Sequence, residues 1–339
     1  QQEKETVPTL FPLTSFTGNA QGTTYSIKYI NDSLVHKEAV DSLLLQFDMD
    51  LSTWREGSLI NQINDWKRTD RTFSFVDSTK NFSVVFDLSR EVYLKTNGAF
   101  DPTVFPLVEL WGFGKKSVSE VSEEEVMATL QYVGMEPAKV DMLELNRDTY
   151  IYDHTEIRKG YAEVKLDFNA IAQGYSIDLI ADYLESQGIQ DYMVELGGEV
   201  ICKGINQDGR AWRIAIDKPK SLAETREFQA LLDVDNRAVA TSGSYRKFKE
   251  VNGKRVSHAI DPRTGYPVDH NLLSATVLAR SCGMADAYAT AFLVMGPEVS
   301  LSFLDEHPEL NLEVYFILSE GDQFQVLMSE SLKEKIIEL

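Results

Sequence analysis

The sequence predicts an α+β fold with mixed sheets and packed helices, and three features carry that prediction. Segments of period 2 and segments of period 3.6 both recur along the chain. They follow one another irregularly, without the strand–helix alternation of a doubly wound parallel sheet. No fixed-period repeat and no low-complexity linker divides the 339 residues, which read as one compact unit or as two lobes around a cleft.

Residues 1–20 open on the polar run QQEKETVPTL and are expected to form an N-terminal tether, leaving 21–339 as the folded domain. GTTYSIKYI (Gly22–Ile30) alternates and is rich in β-branched residues, so it predicts a strand. HKEAVDSLLLQFDMDLS then places Leu43, Leu44, Phe47 and Leu51 on one helical face. VVFDLSREVYLKTNG is a second amphipathic helix, closed by Gly98. SEEEVMATLQYVG is a third, with Ser122 as N-cap and acidic residues in its first turn. YAEVKLDFNAIAQGYSIDLIADYLESQG changes period near Asn169, which predicts a strand, a tight connection and a helix ending at Gly188. DYMVELGGEVICKG and AWRIAIDKP read as strands, and FQALLDVDNRAVATSGSYRKF as strand, turn, strand. LLSATVLA is a strand, GMADAYATAFLVMG a buried helix and LEVYFILSEGDQFQVLMS a closing hairpin.

The charge restricts the partners. With 33 Lys and Arg against 53 Asp and Glu, the net charge of −20 repels nucleic acid and anionic membrane surfaces. An anionic ligand then needs helix N-termini, a metal ion or a few aimed cations. Cys202 and Cys282 each lie in an apolar stretch and are expected to be buried thiols, not a disulfide framework or a zinc site. No run approaches the roughly 20 apolar residues that span a bilayer. The chain starts at Gln1 without Met, which would fit a removed leader such as that of a lipoprotein.

Several short blocks could carry chemistry. SHAIDPRTGYPVDH (Ser257–His270) sets His and Asp residues beside two ring-locked prolines. In ADAYAT, Asp286 and Thr290 share a helix face. Either Asp286 caps backbone N–H groups while Thr290 bonds back to a carbonyl, or the two oxygens serve a hard cation such as Mg²⁺. In LDFNAIAQGYS, small residues from Ala170 to Gly174 open a helix after Asp167, as an ordinary turn or as an anion site. TNGAFDPTVFPLVELWGFG supplies Phe100, Phe105, Trp111 and Phe113, either pinning a loop to the core or walling a ring-ligand site with Asp101 at an edge. Trp54 is a further exposed-looking aromatic. AVATSGSYRKF is expected to set Thr241, Ser242, Gly243 and Arg246 on a turn after a strand, able to face a phosphate. A G-x-S-x-G elbow, a dinucleotide fingerprint and an H-x-x-x-H pair are all missing from the sequence.

These blocks, together with GTTYSI, STWREGSLINQIN, VELGGEV and HAIDPRTGYPV, occur in the order of the ApbE family, and from about Gly22 to Gly296 the chain resembles those FAD:protein FMN transferases. The resemblance implies an ApbE-like fold around an FAD cleft and an Mg²⁺-dependent enzyme. Such an enzyme cleaves FAD, releases AMP and attaches FMN by a phosphoester to a Thr of a target redox protein. It also implies that Asp286, Thr290 and the Ala170 carbonyl hold the metal. Trp54, Ala99, Phe100, Asp101, Asp167, Gln173 and Ile260 are then FAD-site residues, joined by the Thr241 and Ser242 hydroxyls. His258 resembles the base that takes the proton from the acceptor Thr. Gln173 departs from the Lys common in the family, and Gln21 from an apolar residue. The same site could serve an FAD pyrophosphatase using water, or a non-catalytic FAD-binding protein. A periplasm-facing protein, lipid-anchored at its N-terminus, is expected.

Overall fold

Eight strands cross one antiparallel sheet in the order in which they occur in the chain: Leu13–Ala20, Thr23–Ile30, Tyr192–Leu196, Glu199–Lys203, Arg237–Gly243, Leu272–Ala279, Glu313–Glu320 and Gln323–Met328. The computed structural model describes residues 12–32, 34–114, 118–144, 154–219, 227–244, 248–321 and 323–339. Two of the strand connections are tight. Gln21 and Gly22, with φ of 52° and 75°, turn the first hairpin, and Gly197 and Gly198 turn the third strand into the fourth. The longer connections leave the sheet and build everything else.

The connection between the second and third strands carries the helices Lys37–Leu51, Leu59–Asp65, Asn81–Lys95, Phe105–Leu110, Glu123–Leu130 and Ala172–Ser186. It also carries a three-stranded sheet of Phe73–Val76, His154–Lys159 and Val140–Glu144. Another three-stranded sheet, Trp212–Asp217, Phe228–Val234 and Ile336–Glu338, covers the main sheet through Val200, Val239, Leu278 and Tyr315. On the other face, Ile177, Ile180 and Leu184 of the Ala172–Ser186 helix pack with Ala285 of the Cys282–Met295 helix against Ile27, Val194 and Ala240. Beyond it, Tyr288 and Phe292 continue into a cluster with Phe82, Phe86 and Phe168. Both cysteines are buried and unbridged.

Several sequence expectations change. The tether is shorter than 1–20, because Leu13–Ala20 pairs along its whole length with Thr23–Ile30, while residues 1–11 lie outside the described residues. The period-2 stretch before Asn169 is extended and buries Val164, Leu166 and Phe168, yet it joins no sheet. Its backbone finds other partners. Leu166 exchanges two hydrogen bonds with the Asn64 side-chain amide, at 2.7 and 2.8 Å, and the Asp167 N–H donates to the Pro102 carbonyl at 2.7 Å. A side chain thus replaces a neighbouring strand. FQALLDV and RAVATSG follow one another but enter different sheets, the chain turning at Asn236 with φ 50°. Gly98, with φ 79°, closes the Asn81–Lys95 helix by donating to the Tyr93 carbonyl, and Ser122 caps the Glu123–Leu130 helix through a reciprocal bond with Glu125.

Asn64→Ala leaves a buried N–H and a buried carbonyl of Leu166 unpaired. The expected cost is about 2 kcal/mol, read as a lower unfolding midpoint in urea. An unchanged midpoint would show that the Asn64 amide does not secure this segment.

Candidate active site

Two helices cross so closely that only glycine fits between them. A Cβ on Gly174 would lie 2.3 Å from the Cys282 carbonyl oxygen. At that crossing each helix caps the other. Asp178 accepts the N–H groups of Cys282 and Gly283 at 2.6 and 2.8 Å, and Asp286 Oδ2 accepts the N–H of Gly174 at 3.1 Å. Ile171 offers no capping side chain at the start of its helix, so Asp286 does that work from outside. The capping reading of Asp286 is therefore right in kind, but the capped helix is not its own. Thr290 Oγ1 pairs with Ser242 Oγ at 2.9 Å.

This crossing floors a cleft of about 470 Å³. Ala170, Asp286 and Thr290 line it, as do Trp54, Ala99, Phe100, Asp101, Asp167, Thr241, Ser242, His258 and Ile260. Thr241 and Ser242 belong to the Arg237–Gly243 strand and not to a turn after it, because that strand pairs with Leu272–Ala279 up to Gly243. Thr241 Oγ1 lies 2.8 Å from its cross-strand neighbour Thr276 Oγ1. Arg246 lies outside the described residues.

The Pro-bracketed segment forms the mouth of the cleft. Asp261 holds Arg263 through two side-chain bonds of 2.9 and 2.8 Å and accepts the Arg263 N–H at 2.9 Å. Its carboxylate is thus used inside the turn. Ile260 bridges to Pro267, and Trp111 donates Nε1 to the Gly265 carbonyl at 2.8 Å. Trp111 is accordingly buried behind the turn, while Phe100, Phe105 and Phe113 reach the cleft. His258 is half-buried there, with the Phe113 ring edge-on at 6.3 Å.

Gln173 takes a different position. Its Nε2 donates to the Leu196 carbonyl at 3.0 Å, and it lines an adjoining cavity of about 620 Å³ with Gln21. Trp54, 72% exposed, and Asn169 line both cavities. The two residues flagged as departures thus share one compartment.

Burial dominates the electrostatics. It pushes the Asp101 and Asp178 carboxyls up to about 7 and Asp167 up to about 6, although all three accept N–H hydrogen bonds that oppose the shift. Asp286 is raised by burial against its bond from Gly174. Glu199, which the sequence reading passed over as the residue after a Gly-Gly turn, also lines the cleft. It is raised by burial and then by the charge on Asp286, and its Oε2 is buried without a hydrogen-bond partner among the described residues. No sequence periodicity distinguishes Glu199 from any other strand residue. Among the described residues no group of three or more His, Cys, Asp or Glu gathers as a metal site. The donors available at the cleft floor are instead mixed oxygens: carboxylates, a hydroxyl and a carbonyl. That set suits a hard cation, and a buried carboxylate oxygen lacking a partner fits the same demand.

A family model described as the ApbE family matches residues 21–316. The chain is 38% identical to the FAD:protein FMN transferase of Vibrio cholerae over 323 residues, covering 93% of this chain and 90% of that protein. It is 34% identical to the enzyme of the same name from Escherichia coli K12, covering 89% and 82%. In structure it resembles flavin transferase ApbE from Vibrio cholerae, with a TM-score of 0.79 and 35% identity over 96% of this chain and 99% of that one. The apo form of Pseudomonas stutzeri flavinyl transferase ApbE gives a TM-score of 0.79 at 30% identity over 97% and 98%.

Unfolded Asp side chains lose their protons near pH 4. Raised carboxyls therefore contribute stability that is fully present below about pH 4 and is lost as pH rises through about 7. Without a metal, the thermal midpoint is expected to fall between about pH 5 and pH 8. A cation binds the ionised carboxylates, so added Mg²⁺ should raise the midpoint more at pH 8 than at pH 5.5. Thermal unfolding at both values, with and without Mg²⁺, checks this, and a larger shift at the lower pH would contradict it.

Proposed function

The chain belongs to the ApbE family, and from that premise we propose that it is an FAD:protein FMN transferase. It cleaves the pyrophosphate of FAD, releases AMP and joins FMN through a phosphoester to a Thr hydroxyl of a target redox protein. The observation that carries the reading is the gathering of Ala170, His258 and the Asp286–Thr290 pair, from three separate segments, around one cleft.

Asp286, Thr290 and the Ala170 carbonyl would hold Mg²⁺, which supplies neutralisation of the pyrophosphate charge. Phe100, Phe105, Phe113 and Trp54 offer ring faces, and the adjoining compartment behind Trp54 gives a ligand with two ring systems a second place to lodge. His258 accepts the proton of the acceptor Thr as its oxygen bonds to the FMN phosphorus. The bond from that phosphorus to the bridging oxygen breaks, and the electron pair leaves with AMP. The Asp261–Arg263 pair and the Trp111 bond keep the turn behind His258 fixed, so the imidazole is positioned before substrate arrives. Membrane association is proposed only through an N-terminal lipid on the periplasmic side. Its support is the ApbE resemblance and the acidic surface; among the described residues no helix is long and apolar enough to cross a membrane. Metabolic labelling with an alkyne fatty acid, followed by fractionation, checks this, and unlabelled protein in the cytosol would remove it.

The central test is AMP release from FAD and Mg²⁺, with and without a Thr-bearing acceptor peptide. AMP formed with the peptide, and a peptide heavier by FMN, is the expected result. Equal AMP and free FMN without peptide would make the protein a pyrophosphatase, and tight FAD binding with no AMP would make it a binding protein. His258→Ala is expected to slow transfer roughly 10²- to 10⁴-fold while FAD binding is kept. Asp286→Ala should abolish Mg²⁺-dependent turnover, and full activity of that variant at limiting Mg²⁺ would overturn the metal assignment.

A further inference from the structure

Glu199 lines the same cleft as Asp286, and the mechanism above gives it no work. It opens the Glu199–Lys203 strand directly after the Gly197–Gly198 turn, whose positive φ values of 66° and 121° let the chain reverse at the cleft floor. Its Oε2 is buried and makes no hydrogen bond among the described residues, and Asp286, whose charge acts on it, lines the same cleft. Among the described residues neither carboxylate has an ion pair with Lys, Arg or His. Two carboxylates lining one cleft, one of them with a buried unpaired oxygen, either hold protons or share a positive charge, because an unpaired buried anion is costly. The neighbouring oxygens of Thr290 and Ala170 are neutral and cannot supply it.

We propose that Glu199 is a further residue of the cation site: with Asp286 it brings two negative charges to the position where a divalent cation binds. The charges of carboxylates and cation then cancel, which sets cation affinity in a protein whose overall charge is −20. The inference rests on the transferase reading for the identity of the ion, Mg²⁺, but not for its existence. Glu199→Gln keeps the shape and removes the charge. Glu199→Asp keeps the charge on a shorter arm.

The test is binding of Mn²⁺, a spectroscopic stand-in for Mg²⁺, to the whole protein, with free ion counted by electron paramagnetic resonance. Mg²⁺ competition and metal-free FAD binding are measured alongside. Glu199→Gln is expected to weaken Mn²⁺ and Mg²⁺ roughly 10- to 100-fold, with metal-free FAD affinity within about twofold of the parent. Glu199→Asp should recover part of the loss. Cation affinity in Glu199→Gln equal to the parent's, or a parent that binds no Mn²⁺, overturns the proposal. So does an equal loss in both variants accompanied by loss of FAD binding, since that pattern belongs to a folding role. A parent that binds the cation through Glu199 yet forms neither AMP nor flavinylated peptide leaves the cation site standing and removes the transferase reading instead.

Discussion

The exchange of carboxylates between two crossing helices is the constraint on which the site depends. Asp178 and Asp286 each satisfy backbone N–H groups at the start of the other's helix, through charge-assisted hydrogen bonds worth about 1.5–3 kcal/mol each. The bonds form only because Gly174 lets the helices approach to a separation that a single methyl group would forbid. Glycine is a poorer helix former than alanine, and here the close crossing offsets that cost. Asp286 consequently holds the core with one oxygen, which fixes the direction in which the rest of its carboxyl faces the cleft. Packing and chemistry meet in one side chain.

The sheet explains why the remaining pieces converge. Its strands run in simple order, so every long connection must leave and return at one of its ends. The Leu196–Glu199 turn, the close of the Arg237–Gly243 strand and the approach to the Leu272–Ala279 strand supply Glu199, Ser242 and His258 respectively. The Ala172–Ser186 helix brings Ala170 just ahead of its first turn. A rigid meander thus sets the positions, and loops pinned by Trp111 and by the Asp261–Arg263 pair carry the reactive groups.

What could be read from the sequence follows the range of the physics involved. Period and capping act within one element, so the Ser122 cap, the Gly98 stop and the buried Cys282–Met295 helix were all legible. Asp286, Thr290, His258 and Ile260 were legible as residue types in ordered runs, and the fold brings them to one cleft. Long-range substitutions for local structure were not legible. The Leu166 segment looks like a strand because its burial alternates, yet its partner is the Asn64 side chain, 102 positions away. Leu13–Ala20 gave no warning because an edge strand alternates between exposed and half-buried and needs little hydrophobicity. Glu199 was not legible for a related reason: it comes to share a cleft with Asp286 only after the sheet and the crossing helices are assembled.

An acidic protein that takes FAD presents an electrostatic problem, and among the described residues no Lys or Arg lines the cleft. Bringing Asp286 and Glu199 together raises the local negative charge further, which alone would repel a pyrophosphate. Burial raises both carboxyls, and the charge of Asp286 raises Glu199 further, so without a counter-ion protons are drawn onto them. In the proposed site a divalent cation would displace those protons and cancel the two carboxylate charges at the cleft floor. Net surface charge sets what approaches from a distance, and it is screened beyond about 8 Å at physiological salt. The floor of the cleft lies inside that range and answers to its own few groups. On the proposed reading the surface can therefore remain acidic while the cation favours a pyrophosphate at the cleft floor.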